Sequence, residues 1–365
     1  MITEQISSAG TSIWLDDLSR AKLTDAGPHG LPHRITHDGV VGVTTNPSIF
    51  NSAISKGDEY SPAIAEMKNE SVDDVVRLLT TDDVRSACDL FAETFSMSGG
   101  LDGRVSIEVD PRRARQTEAT ISEGKALWKI VDRPNAMIKV PATLEGLPAI
   151  TELISRGISV NATLIFSIER YMQVFDAFEQ GLENRVALGE SVSEVTSVAS
   201  FFVSRIDSAV DALLKENGSA RALSLLGKTA IANAALAYQS FEARSQTDRW
   251  KDLSRKGARI QRPLWASTGV KDLSYSDTRY VTGLVAPHSV NTMPQTTLDA
   301  LLDHGVFDGE LISSTYKGAK QVFESLTDLD ISIDVVTEEL EIDGVKKFAA
   351  AWAELLTNVE SALSK

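Results

Sequence analysis

Lysine 139 stands between Ile138 and Val140 in the run Met137-Ile138-Lys139-Val140-Pro141. Met137 to Val140 favour a strand, and Pro141 cannot continue its ladder, so the strand is expected to stop there. Burying a charged lysine among apolar neighbours is costly, and desolvation favours the neutral amine. A neutral amine is a nucleophile that can form a Schiff base with a ketone. The competing reading is an edge-strand lysine with its head in water, since most lysines are exposed. Thr143 is placed to cap the following helix, with Pro148 near a boundary.

Side chains alternate across a strand, so parity decides between these readings. In the segment around residue 107, Val105, Ile107 and Val109 share one face and Ser106 and Glu108 the other. Ile158 and Val160 oppose Ser159 and Asn161, with Thr163 following on the polar side. Ile13 and Leu15 oppose Trp14 and Asp16. Val41 and Val43 oppose Gly42, Thr44 and Asn46. Each strand therefore has an aliphatic face and a polar face near its C-terminal end. If these strands close into a barrel, the polar faces meet at the mouth where active sites lie. That collects Asp16, Thr44, Asn46, Glu108, Lys139, Asn161 and Thr163 in one place. Each alone reads as a cap, a turn or a satisfied core polar group; together they point to chemistry at Lys139.

The elements that must position these residues alternate along the chain. Strands are expected over 12–16, 40–44, 104–109, 137–140, 157–161, 198–203, 260–267 and 284–286. Helical patterns begin at 17 and fill 48–97 with a break at Gly57, then 114–131, 147–156, 167–188, 205–254 and 294–303. Alternation repeated eight times predicts a parallel sheet that can close, an α/β fold of the (β/α)8 barrel kind. One barrel domain over 1–365 is expected, with 309–365 a C-terminal helical extension. Phe348, Trp352, Leu355, Val359 and Leu363 share one face of a last amphipathic helix and read as core. The stretch 27–37 carries His29, His33 and His37, four apart, a spacing that on a helix suits a metal. Pro28, Gly30 and Pro32 argue for a loop instead, and no metal is expected.

Composition limits what the chain can do. Its 365 residues are 42% apolar and 24% charged, as in ordinary soluble proteins. The net charge of -15 excludes nucleic-acid binding through a global field. It also requires that any phosphate site be a local one. With a single cysteine there is no internal disulfide and no cysteine-based metal cluster. No Gly-x-Gly-x-x-Gly occurs, so a dinucleotide fold has no support. The first ten residues lack a signal region, and no apolar run is long enough to span a bilayer. A cytoplasmic protein with no membrane partner is expected.

At these residues the chain resembles the transaldolases, Schiff-base enzymes of the class I aldolase kind. Gly42-Val43-Thr44-Thr45-Asn46-Pro47-Ser48 resembles the family's second-strand signature. Ile138-Lys139-Val140-Pro141-Ala142-Thr143 is similar to its active-site lysine motif. Gly103-Arg104-Val105-Ser106-Ile107-Glu108-Val109-Asp110 and Asn161-Ala162-Thr163-Leu164 are similar to its third and fifth strand motifs. The resemblance runs in order from about Ser12 to about Pro294. It implies transfer of a dihydroxyacetone unit between sugar phosphates, from fructose 6-phosphate or sedoheptulose 7-phosphate to glyceraldehyde 3-phosphate or erythrose 4-phosphate. By that resemblance Lys139 forms the imine, Asp16 takes the proton of the donor C4 hydroxyl, and Glu108 and Thr163 hold a proton-moving water. Thr44, Asn46, Asn161 and Ser200 bind hydroxyls of the three-carbon unit. No cofactor is implied, and a monomer or homodimer is expected.

Ser200-Phe201-Phe202-Val203-Ser204-Arg205 resembles the family's sixth-strand segment, with Arg205 as the phosphate cation. The family often has proline where Phe201 stands. Ser267 matches a second phosphate contact, but the arginine commonly found close behind it is absent. Lys271 is the nearest cation, a point charge without the bidentate fork. Phe202 faces inward by parity; the resemblance places a phenylalanine there in transferases and a hydroxyl-bearing aromatic in related aldolases. Two other readings are weighed. One is an aldolase that uses the same imine and releases free dihydroxyacetone. The other is a phosphosugar-binding barrel without chemistry, against which the intact Lys139, Asp16 and Glu108 argue.

Overall fold

A computed structural model of the chain describes residues 1–56 and 58–364. Eight parallel strands form a closed barrel in sequence order, each bonded to the next and the eighth to the first. They are β1 Thr11–Leu15, β2 Val40–Val43, β3 Arg104–Glu108, β4 Ala136–Pro141, β5 Val160–Ile165, β6 Ser197–Phe202, β7 Arg262–Ala266 and β8 Ser289–Met293. Helices lie between them, and a last helix, Ile333–Leu363, follows the barrel. Among the described residues no helix is long and apolar enough to cross a membrane.

Local chemistry explains most boundaries. Pro141 is the last residue of β4, where its missing N–H costs least. The Thr143 hydroxyl accepts the Gly146 N–H at 3.0 Å and donates to the Ala114 carbonyl at 2.6 Å, starting the helix Gly146–Ser155. Gly146 cannot be larger, because a Cβ there would stand 2.0 Å from the Pro141 carbonyl oxygen. Pro148 lies inside the first turn of that helix rather than at its edge, a position proline tolerates.

Three segments differ from the sequence reading. The fifth strand runs over Val160–Ile165 rather than 157–161. Gly157, at φ +82°, is the left-handed residue that ends the preceding helix, so the strand cannot begin there. The eighth strand is Ser289–Met293, not 284–286. Leu284, Val285 and Ala286 are buried in the connection before Pro287, which mimics a strand in apolarity alone. The histidine stretch is not all loop: Leu31–His37 is a helix. Pro32 sits in its first turn, where its missing N–H and fixed φ do no harm. His33 and His37 stack with ring centroids 4.3 Å apart.

The barrel floor is plugged by a polar cluster. Arg262 bonds Asp102 and the Ser289 carbonyl, and buried Arg104 bonds the Gly100 and Pro134 carbonyls. Trp14 fills the interior above the floor; a Cβ at Gly42 would meet its indole at 2.5 Å. At the opposite end, where the strands finish, Asp16, Asn46 and Pro294 line an open cavity.

Candidate active site

Strand register sets the site. Glu108 of β3 pairs with Lys139 of β4, and Lys139 pairs with Asn161 of β5. Residues in register on parallel strands share a face, so the three side chains form one layer inside the barrel. Lys139 and Glu108 are almost fully buried, at 4% and 5% exposure. Lys139 Nζ donates to the Thr45 carbonyl at 2.9 Å and lies 3.3 Å from Glu108 Oε2. Thr45 is pinned in turn by its hydroxyl, which donates to the Ser106 carbonyl at 2.8 Å.

Glu108 is pushed up to about 7 by burial, against the pull of the Lys139 charge; the Asp16 charge pushes the same way as burial. A carboxyl in that range can both give and take a proton near neutrality. Neither of its oxygens accepts a well-directed hydrogen bond from the protein, and the buried Thr163 hydroxyl has no protein partner either. Thr163 belongs to β5, opposite Pro141. The β5–β6 register shifts beyond Ala162, and Leu164 takes φ +62°. Such a bulge re-aims the side chains beside it.

Asp16 follows β1 directly, its amide donating to the Met293 carbonyl at 2.8 Å. Its carboxyl is raised above the usual range by burial, opposed first by the Lys139 charge and then by the Thr44 hydrogen bond. Thr44 Oγ1 donates to Asp16 Oδ1 at 2.6 Å and lies 2.7 Å from Thr292 Oγ1. Asn161 and Ser200 form a second polar chain, Ser200 Oγ to Asn161 Oδ1 at 2.7 Å and Asn161 Nδ2 to Ser106 Oγ at 3.0 Å. Asn46 uses its side-chain oxygen to accept the Ile49 N–H at 3.0 Å, opening the helix Pro47–Lys56. It also lines, with Asp16, a cavity of about 620 Å³. A separate cavity of about 740 Å³ reaches Glu108 past Asp110, Arg112, Arg113 and Trp352.

The β6 end carries an aromatic wall and a cation. Phe202 is buried and packs on Phe166 at 5.1 Å between centroids. The Arg205 guanidinium lies 5.5 Å over the Phe202 ring. Its Nη1 is buried without a hydrogen-bond partner, and burial pushes its pKa down while the Asp343 charge acts the other way. An unmet buried donor costs about 1–3 kcal/mol, while the ring contact returns about 0.5–1 kcal/mol. Ser267 sits next to it across the β6–β7 ends, its hydroxyl 3.2 Å from Ser204 Oγ and its carbonyl accepting the Ser204 N–H. Ser267 holds φ +55°, an uncommon conformation for a residue with a Cβ. Lys271 is exposed in the loop beyond, close enough to lower the Asp16 pKa slightly.

Some participants escape a reading by strand parity. Thr45 contributes through its carbonyl, which has no sequence signature. Thr292 lies on the misplaced eighth strand, although a strand directly before the helix opened by Pro294 was the available signal. Phe348 and Trp352 lie on the last helix, whose buried face reads as core. Phe348 is buried, yet its ring centroid is 5.6 Å from Lys139 Nζ, so it lines the site as well.

The barrel mouth thus holds a buried lysine beside two carboxyls whose pKa values are raised by burial. Over residues 13–359 the chain matches the family described as Transaldolase/Fructose-6-phosphate aldolase, and it belongs to that family. Curated relatives named "Transaldolase" from Mycobacterium tuberculosis and Mycobacterium marinum are 52% identical over 361 residues, 98% of this chain and 96% of each relative. A relative of the same name from Mycolicibacterium smegmatis is 52% identical over 360 residues, with the same coverage.

Proposed function

We propose that the protein is a transaldolase that moves a dihydroxyacetone unit from a ketose phosphate to an aldose phosphate through an imine on Lys139. The observation that carries this reading is the buried Lys139–Glu108 contact of 3.3 Å, with Asp16 at the same barrel mouth. The amine attacks the donor C2 carbonyl, and water leaves as the protonated imine forms. Glu108 supplies and removes the protons of that step. Its unpartnered oxygens and the Thr163 hydroxyl support a shared water in this role.

Asp16 then takes the C4 hydroxyl proton. The C3–C4 bond breaks, its electron pair flows into the imine, and an aldose phosphate leaves. The three-carbon enamine stays on Lys139, within reach of the hydrogen-bonding groups of Thr44, Asn161 and Ser200. Asn46 already caps its own helix and can offer only its amide N–H donors. An incoming aldehyde is attacked by the enamine carbon, and its oxygen takes back the proton from Asp16. Hydrolysis of the new imine frees the product and the amine. Arg205 and Ser267 are placed to bind substrate phosphate, with Lys271 farther out. The reaction belongs to the pentose phosphate interconversions, and a cytoplasmic location fits it.

The rival, release of free dihydroxyacetone, needs a proton delivered to the enamine. Phe202 and Phe166 present apolar rings that position no water, which favours transfer. A coupled assay with fructose 6-phosphate, with and without erythrose 4-phosphate, tests the reading. Transfer should depend on the acceptor, with little aldehyde or dihydroxyacetone released without it. Equal turnover in both arms would establish the aldolase instead.

A further inference from the structure

The last helix reaches the reacting nitrogen. Phe348 is buried, with its ring 5.6 Å from Lys139 Nζ. One turn on, Trp352 is 8% exposed and lines the cavity that reaches Glu108; its indole N–H has no protein partner. The helix is held there by contacts that fix its position along its axis. Glu341 pairs with Arg170 at 3.4 Å, both mostly buried. Arg170 also donates to the Ala142 carbonyl, just beyond β4. Asn358 donates to Asn51 and Ser55 on the helix Pro47–Lys56, both at 2.8 Å. Gly344 seats on Leu164 at the β5 bulge, where a Cβ would stand 3.1 Å from that side chain. Burial of an apolar face alone would not require an aromatic ring at the lysine head. Leucine would fill such a place, and helices accept it more readily.

We propose that Phe348 is a specificity-determining residue of the reaction, closing the wall over Lys139 so that the bound enamine meets an aldehyde rather than a water proton. This rests on the transaldolase reading. The enamine has two fates. In transfer, its nucleophilic carbon bonds the aldehyde carbon, and the aldehyde oxygen takes the Asp16 proton. In release, that carbon takes a proton from water, the imine adds the hydroxide, and dihydroxyacetone departs from the amine. A ring face at the nitrogen offers no hydrogen bond to seat the proton-donating water. It also attracts the positive charge of the protonated imine. The two contributions separate by substitution: Phe348→Leu keeps the apolar wall and removes the ring face, whereas Phe348→Ala opens the wall.

The test uses the full chain with fructose 6-phosphate. Dihydroxyacetone release is measured without acceptor, sedoheptulose 7-phosphate formation with erythrose 4-phosphate, and the borohydride-trapped adduct at Lys139 by mass spectrometry. Phe348→Ala should raise the release-to-transfer ratio by about fivefold or more. Phe348→Leu should leave that ratio near the wild-type value and lower the trapped fraction by about twofold to fivefold. Ile342→Ala, half-exposed on the same helix, should change neither. A folded Phe348→Ala that loses both rates in proportion overturns the proposal. So does a folded Phe348→Leu whose release-to-transfer ratio departs clearly from wild type, whether or not the alanine variant folds, since an apolar wall would then not be what excludes the water proton. Failure of the underlying reading would show in the wild type itself, as an absence of transfer and of adduct.

Discussion

Asp16 and Glu108 are both carboxyls with raised pKa values, Glu108 buried and Asp16 partly so, yet their surroundings differ. Asp16 accepts a 2.6 Å hydrogen bond from Thr44, whereas Glu108 meets Lys139 and no well-directed donor. In the proposed reaction, that difference matches Asp16 with carbon–carbon cleavage and Glu108 with the protons of imine formation. Asp16→Ala should therefore abolish cleavage of fructose 6-phosphate yet still allow borohydride trapping of the intact ketose. Glu108→Gln should slow trapping itself by roughly a hundredfold. The wild-type trapping rate should also follow a group that titrates near its value of about 7, and that dependence should vanish in Glu108→Gln. If both variants changed only substrate affinity, the division of labour would be wrong. Phe202 is proposed to act on the later fate of the enamine. Phe202→Tyr adds a hydroxyl beside the wall formed with Phe166 and should raise free dihydroxyacetone release relative to transfer. An unchanged ratio in a folded variant would remove Phe202 from control of that step.

The order of elements was legible because each strand carries an aliphatic face and a polar one, and each is followed by a helical period. Parity was enough to put Asp16, Thr44, Glu108, Lys139 and Asn161 at one end, because registers such as Glu108 with Lys139 follow from barrel closure. Strand limits were less legible. Gly157 reads as a strand start but ends a helix, and the apolar run at 284–286 outscored the polar Ser289–Met293 that carries Thr292. The last helix was readable as amphipathic, but nothing local says which part of the core its Phe348 touches. Helix packing also makes a pH prediction. On the helix Thr117–Val131, Glu123 is pushed from 4.5 up to about 7 by burial and then by the Asp110 charge, with the Asp110 amide, Arg113 and Arg112 opposing. A carboxyl raised in the folded state stabilises fully below its unfolded value and loses that contribution as pH rises through the folded one. Denaturant midpoints should therefore show Glu123→Gln gaining on wild type by roughly 1–3 kcal/mol between about pH 5 and about pH 8. A difference that does not vary with pH would mean that Glu123 is not strained by its burial.

At the scale of the whole molecule, a chain of net charge -15 that takes sugar phosphates must concentrate positive charge where the phosphate docks. We propose Arg205 as that place, since its buried Nη1 has no protein partner and Ser204 and Ser267 lie beside it. Arg205→Ala should raise KM for phosphorylated donors by about tenfold to a hundredfold, with a much smaller effect on unphosphorylated ones. Equal effects on the two would make the arginine structural. The barrel, its polar floor and the covering helix hold one buried amine at the mouth beside two carboxyls. The most direct test of that account is to reduce the protein with borohydride in the presence of fructose 6-phosphate and map the adduct by peptide mass spectrometry. A three-carbon adduct on the peptide containing Lys139, absent from Lys139→Arg, is the result expected; an adduct on another lysine, or none in an active preparation, would contradict it.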